Sequence, residues 1–173
     1  SIDCPANDAC VDAIDISEGD TYFTTFDATT DGDSHASCGD GQTYHDIWYN
    51  YLAPTSGTLT VSTCGQANYD TDLVVYEGSN CSSLTLVGCN DDTDGCDLYT
   101  SYLEIPVLAG SNYVIRVGGW LSGSSGSGVL TLEIDGDVVE WIGADGGSWF
   151  EETNWSSGVV PTNGVDVEIS GSV

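Results

Sequence analysis

The chain has 173 residues, and its 28 acidic side chains face a single base, Arg116, for a formal net charge of -27. That charge excludes nucleic acid and anionic membranes as partners by repulsion, and the absence of lysine excludes an isopeptide cross-link. Aliphatic and aromatic residues are ample for a core, which argues against disorder, and no stretch is long and apolar enough for membrane insertion. A surface this acidic suits high salt or a divalent-rich medium, where counterions screen self-repulsion.

Residues 1–20 carry Pro5 and a short apolar spacing, Ala9, Val11, Ala13, Ile14 and Ile16, which reads as a disulfide-closed turn leading into a strand or a single helical turn. The chain opens at Ser1 directly before this cysteine-bearing segment, so it is expected to be a mature product whose leader has been removed. Tyr22 to Ala28 alternates aromatic and threonine residues as a strand does, and Thr29 to Gly41 is a loop rich in Gly, Asp and Ser. Strands then come regularly: around Ile47, Tyr49 and Tyr51, at Leu59 and Val61, at Leu73 and Val75, at Leu84 and Leu86, from Tyr102 to Val107, around Tyr113, Ile115 and Val117, and at Leu130, Leu132 and Ile134. The alternation of Leu73 and Val75 with Asp72, Val74 and Tyr76 predicts a half-buried strand, paired with the Leu84 run across the turn Glu77-Gly78-Ser79-Asn80. Strands at this spacing, with Gly, Pro and Asn turns and no useful helical period, predict an all-β, antiparallel β-sandwich of jelly-roll-like type over residues 1–136. Residues 137–173 form a short β-rich tail with Trp141, Trp149, Trp155, Pro161 and a strand-like VDVEIS run, too short for a core of its own. It is expected to pack on the sandwich, to pair as an added strand, or to begin a following β-repeat region.

Seven cysteines in a lysine-free acidic chain argue for an oxidising compartment, and no CxxC pair supports zinc. The expected disulfides are local, Cys4 with Cys10, Cys38 with Cys64 and Cys81 with Cys89, leaving Cys96 over. The chain is expected to be secreted, extracellular or at the cell surface.

The densest acid cluster follows the second hairpin strand: Asn90, Asp91, Asp92, Asp94 and Asp97 around Gly95. Carboxylates this close repel one another unless a cation or a proton sits among them. Asn90, Asp92, Asp94 and Gly95 fall at the one-three-five-six offsets of a calcium loop, but Ser101 stands where a position-twelve glutamate would be, so an EF-hand is rejected. A calcium (Ca2+) site on a β scaffold remains, with Asp70, Asp72, Asn90, Asp91, Asp92 and Asp94 as candidate ligands. A solvated acidic loop and turn-capping by Asp70 and Asp72 are the alternatives. Asp27, Asp31 and Asp33 form a second, weaker candidate, for which a plain surface loop is the better reading. Among so many carboxylates an acid/base pair carries no information, and His35 and His45 read as surface or edge polar residues, so no catalytic residue is assigned. Trp120, Trp149 and Trp155 could stack on sugar rings if exposed, with core packing the more economical role.

Several runs carry a resemblance: Trp48-Tyr49, the turn Ala53-Pro54 with Ser56 to Val61, Tyr69-Asp70-Thr71-Asp72-Leu73, Cys89 to Asp92, and Leu108 to Gly119. Over residues 3–135 the chain resembles a bacterial pre-peptidase C-terminal (PPC) type domain, in the disulfide-bearing version of large secreted or surface proteins of planctomycetes and other aquatic bacteria. The resemblance implies a sandwich without catalytic residues, calcium-stabilised in some members and binding matrix polymers beside an enzyme in others. The tail more weakly resembles the opening of repetitive β-rich passenger regions. The expected function is structural or adhesive, with other copies of the chain or neighbouring domains as partners and filament assembly by strand addition as one route. A carbohydrate- or matrix-binding accessory module of a secreted enzyme is the alternative.

Overall fold

A computed structural model describes residues 4–35, 37–39, 41–136, 138–144, 147–157, 160–161 and 166–169. The strands are β1 (Ile14–Ile16), β2 (Gly19–Thr24), β3 (Tyr44–Leu52), β4 (Gly57–Ser62), β5 (Thr71–Glu77), β6 (Thr85–Asn90), β7 (Tyr102–Val107), β8 (Asn112–Gly119), β9 (Ser127–Gly136), β10 (Val138–Glu140) and β11 (Asp166–Glu168). They form a five-stranded sheet in the order β1-β3-β8-β5-β6 facing a four-stranded sheet in the order β2-β9-β4-β7. Pairing within both sheets is antiparallel except between β1 and β3. The fold is an all-β sandwich. Of the VDVEIS run, Asp166–Glu168 pairs in parallel with β10, while Val165 and Ser170 lie outside the described residues.

The core follows from strand alternation. Tyr49 of β3, Ile115 of β8 and Val75 of β5 stand side by side in register, and with Ile47, Tyr51, Tyr113, Val117 and Leu73 they fill the inner face. Leu59, Val61, Ile105, Val107, Leu130 and Leu132 answer from the second sheet. The other face of the larger sheet departs from the alternation rule. Trp48, Arg116 and Val74 share a register row there, and all three are buried, as is Asp72. β5 is therefore covered on both faces rather than half-buried, because the loop between β2 and β3 folds over the sheet.

Arg116 explains how that loop is held. The chain's one base is fully buried and pairs through Nε with the equally buried Asp46 carboxylate. Its Nη1 donates to the Asp33 carbonyl at 2.9 Å, and its Nη2 donates to the carbonyls of Gly32 (3.1 Å) and Thr43 (2.9 Å) and to Gln42 Oε1 (2.8 Å). The Asp46 carboxylate also accepts the backbone N–H groups of Asp31 and Gly32. The guanidinium lies 5.2 Å from the centre of the Trp48 ring, a cation–π contact. A Cβ at Gly32 would overlap the guanidinium, so only glycine lets the loop close over it.

The disulfides correct the local pairing expected from sequence. Cys10 bonds Cys81, Cys38 bonds Cys89 and Cys64 bonds Cys96, with sequence separations of 71, 51 and 32, and Cys4 is the free, exposed thiol. Near neighbours in sequence are not partners: each bond joins segments well separated along the chain. Cys81, for example, lies in the turn before β6 and Cys89 near the end of that strand, so each bonds a different segment, Cys10 and Cys38.

Two outcomes are expected. Arg116→Ala leaves Asp46 buried without its counterion and should cost about 3–5 kcal/mol, read as a drop in the urea midpoint. Alkylation of the unreduced, denatured protein should place a single label, on Cys4; a label on Cys96 would contradict the connectivity.

Candidate cation and ligand site

One end of the larger sheet gathers the acidic residues. Thr71, the first residue of β5, pairs with Gly119, the last of β8, and Leu73 pairs with Asn90, the last of β6. The residues just beyond these strand ends, Asp70, Trp120 and Asp91, therefore meet at one corner. Trp120 N donates to the Asp70 carbonyl at 3.4 Å. The Asp91 carbonyl accepts from Ser101 Oγ at 2.8 Å, and Ser101 belongs to a buried hydroxyl network with Thr63 and Thr71. The Cys38–Cys89 bond brings Gly39 to the same corner, and Cys64–Cys96 anchors the loop that carries Tyr99. Leu98 and Tyr99 both take left-handed backbone conformations, φ 59° and 57°, and Tyr99 projects into solvent with 67% of its surface exposed. Together Gly39, Asp70, Asp91, Asp92, Tyr99 and Trp120 line a pocket of about 520 Å³.

Within it, Asp70, Asp91 and Asp92 can each turn one ligand atom into a common volume, all within 4.8 Å of one another. Burial, and secondarily the negative charge of Asp92, pushes the Asp70 carboxyl up to about 6. Its Oδ1 is buried and has no hydrogen-bond partner among the described residues. An orphaned carboxylate oxygen beside two further carboxylates fits a hard divalent cation, which prefers oxygen ligands.

The other candidate ligands do other work. Asp72 is buried on the loop-covered face, where its Oδ2 accepts from Thr43 Oγ1 at 2.6 Å and lies 3.7 Å from His35 Nε2. Asn90 shapes the turn: its Oδ1 accepts from Thr93 Oγ1 and from Tyr102 N, and its Nδ2 donates to the Asp92 carbonyl. Asp94 is exposed in the following turn. Asp31 accepts from Trp48 Nε1 at 2.8 Å, Asp33 offers its carbonyl to Arg116, and Asp27 is exposed at a turn with φ 63°. The three do not appear as a metal-holding group among the described residues.

His35, expected at the surface, is buried with its Nε2 3.0 Å from Thr43 Oγ1. His45 lies with Nδ1 2.7 Å from the Ala28 carbonyl oxygen and Nε2 2.9 Å from that of Ser122. Of the three tryptophans considered for stacking, Trp155 is 1% exposed and forms the centre of the tail, with Trp141 and Trp149 edge-on to it at 5.0 and 4.4 Å. Trp149 is 42% exposed but stands outside the acidic corner, and only Trp120, 36% exposed, lines it. Tyr99 and Gly39 were not foreseen. The Gly39 neighbour Cys38 was the available signal, but it needed the correct disulfide partner.

A family model described as galactose binding domain-like, of the T9SS-associated type, matches residues 6–127. The chain belongs to this family. No curated protein matches it. Among solved structures it is similar to the pre-peptidase C-terminal domain of a collagenase from Bacillus anthracis, at 12% identity and a TM-score of 0.45, over 70% of this chain and 94% of that one. Family membership points to a non-catalytic accessory module, and with three disulfides it suggests an extracellular or surface setting. Among the described residues no helix is long and apolar enough to cross a membrane.

The raised Asp70 carboxyl has a consequence for stability. In chelator, between the ordinary value of 3.8 and about 6, the folded protein holds a proton there that the unfolded chain has lost. Stability should therefore fall as pH rises through that window, and Asp70→Asn should remove this part of the slope. Urea midpoints of both proteins across about pH 4 to 7 check this, and parallel curves would contradict it.

Proposed function

We propose that the chain is a non-catalytic, calcium-stabilised adhesive module of a longer bacterial surface protein, with residues 1–136 as the sandwich and 137–173 as the start of the following region. The observation that carries this reading is the convergence of Asp70, Asp91 and Asp92 on one volume at a corner lined by exposed aromatic rings. Asp70 supplies the buried oxygen, Asp91 is held by its backbone bond to Ser101, and Asp92 supplies the exposed oxygen. A bound calcium ion neutralises carboxylates that otherwise repel one another, joining the end of β6 to the start of β5. The extracellular setting supplies the ion at the roughly 0.1–1 mM levels for which such modules are suited.

The partner in this reading is an extracellular matrix component, polysaccharide or protein. Assembly of copies by strand addition is the other route to adhesion. In the described structure β11 is paired with β10 of its own chain, a pairing that donation of this strand would have to break.

A thermal melt of the whole chain in calcium and in excess chelator tests the cation site. With calcium at about ten times the dissociation constant, the linkage relation gives about 1.4 kcal/mol, or a midpoint rise of roughly 3–5 °C. Asp92→Asn, at an exposed position that folding does not need, should remove most of that rise. An unchanged midpoint in the parent protein would overturn the calcium reading.

A further inference from the structure

The tail carries a strand edge whose register specifies what can dock on it. β10 and β11 run parallel, with Val138 beside Asp166, Val139 beside Val167 and Glu140 beside Glu168, a constant offset of 28 residues. Parallel neighbours need a crossover connection, which is usually an α-helix packed on the sheet. Here the described part of the connection holds only the short 3-10 turn Glu152–Asn154. Its centre is aromatic instead: Trp155 is buried, with Trp141 and Trp149 edge-on to it. A chain that returns parallel and in register after one such loop has completed one coil of a solenoid, whose repeats run to about 20–45 residues.

The two sides of this ladder differ. On the outer side of β10, Ser156 N donates to the Glu140 carbonyl, Ile142 N to the Asn154 carbonyl and Glu140 N to Ser156 Oγ, each at 2.9 Å. Segment 154–156 therefore closes that side. On the inner side, Trp141 N donates to the Glu168 carbonyl at 2.9 Å. Beyond β11 no further strand pairs among the described residues. Ile169 stands one offset after Trp141, at the end of β11 as Trp141 stands at the end of β10, and it is 61% exposed. Across the ladder Val139 is buried and Val167 half-buried, whereas Glu140 and Glu168 are exposed. The pattern of β10 is thus repeated in β11, and the open edge offers it once more.

We propose that the coil from β10 to Ile169 is the first of a parallel β-solenoid, and that the open edge of β11 takes a third parallel strand, in register, from the longer chain to which the module belongs. The proposal rests on the longer chain of the reading above, not on its calcium site. The asymmetry of the ladder selects the occupant. A second copy stacking head to tail would need the outer side of β10, which segment 154–156 already holds. Two β11 edges meeting would set together two surfaces of a chain with a net charge of -27. A strand arriving one offset later in the same chain meets neither obstacle. It places its inner residue over Val167, and its carbonyl receives the Ile169 N–H as Glu168 receives that of Trp141. Closure on one side and an open edge on the other is the form a starting coil needs, since growth then runs in one direction.

The test uses the whole chain and a longer version in which a second copy of residues 142–169 is inserted between Ile169 and Ser170. Chelator is present throughout, so the result is readable whether or not the calcium reading holds. Backbone amide hydrogen exchange, followed by NMR, reads the open edge at the Ile169 N–H. The Trp141 N–H, bonded to the Glu168 carbonyl, is the internal reference. In the parent chain Trp141 should exchange slowly and Ile169 at the rate of an open amide. In the longer chain both should be slow, with Ile169 retarded about a hundred-fold. Val167→Asp made in the inserted copy alone should remove the protection of Ile169 and leave that of Trp141.

Exchange at Ile169 as fast in the longer chain as in the parent would overturn the proposal. Fast exchange at Trp141 in either protein would do the same, because the parallel pair on which the coil depends would then be absent. Protection of Ile169 already in the parent, rising with protein concentration together with a dimer on a sizing column, would give the edge to a second copy and overturn the same-chain assignment. Protection that survives Val167→Asp in the inserted copy would overturn the in-register apolar ladder.

Discussion

A single buried charge pair organises the outer half of this sandwich. Arg116 sits mid-strand in β8, where alternation points it away from the core, and a lone guanidinium there would normally face water. Instead the loop between β2 and β3 covers it, turning three carbonyls and the Gln42 side chain toward it while Asp46 supplies the counter-charge. Burial pushes the Asp46 carboxyl upward, and the Arg116 charge and hydrogen bond pull it back. Desolvation makes such a pair a modest source of net stability compared with apolar residues of the same shape, but breaking it is expensive once the loop is closed. Its consequence here is positional. The loop cannot shift register without leaving a fully buried cation unsatisfied, so Cys38 and Gly39, farther along the same loop, arrive at a defined place.

That place is the corner where β5, β6 and β8 end. Three long-range disulfides then do what a larger core would do in a bigger domain: they join loops to strands across the sheet. Cys38–Cys89 ties the Arg116-bound loop to the strand that delivers Asp91, and Cys64–Cys96 ties the Tyr99 loop to the end of β4. The acidic corner is thus built on strand ends and cross-linked loops, which fix the backbone positions of Asp70 and Asp91. The Asp70 carboxyl is raised there chiefly by burial and secondarily by the charge of Asp92.

How much of this could be read from the chain depended on the range of the interaction. Period-two alternation is local, so the strands, the β5–β6 pairing and the all-β class were legible in residues such as Ile47, Tyr49 and Tyr51. The acid cluster after β6 was visible as well, and Asp91 and Asp92 do converge with Asp70. What failed were inferences that assumed neighbours in sequence are neighbours in space. Asp70 and Asp72 are two residues apart, yet one lies in the corner pocket and the other is buried under the β2–β3 loop with Thr43. The local disulfide pairs failed for the same reason. Val74 and Asp72 read as a solvent face because nothing in the spacing of β5 announces that a loop will cover it. The one local hint was Arg116 itself, a single cation placed between strand residues in a chain with every reason to keep it paired.

The composition gains a physical meaning from this arrangement. With its only base fully buried, the protein presents a surface on which acid meets no fixed positive partner from Arg or Lys. Over most of that surface, carboxylates reduce their repulsion by turning toward water or toward backbone N–H groups, as Asp8 does at Thr29. At the corner Asp70 has less of that freedom, with its Oδ1 buried, while Asp92 stays exposed. The chain has no lysine to bring in, so relief there must come from a proton or from a cation in the surrounding medium. Protonation serves only in mildly acidic conditions, as the Asp70 value of about 6 sets the scale. Around neutral pH the calcium ion proposed for Asp70, Asp91 and Asp92 would provide that relief. A lysine-free surface with a buried arginine is therefore one whose acidic charge is balanced from outside the chain, by mobile counterions rather than by its own basic side chains.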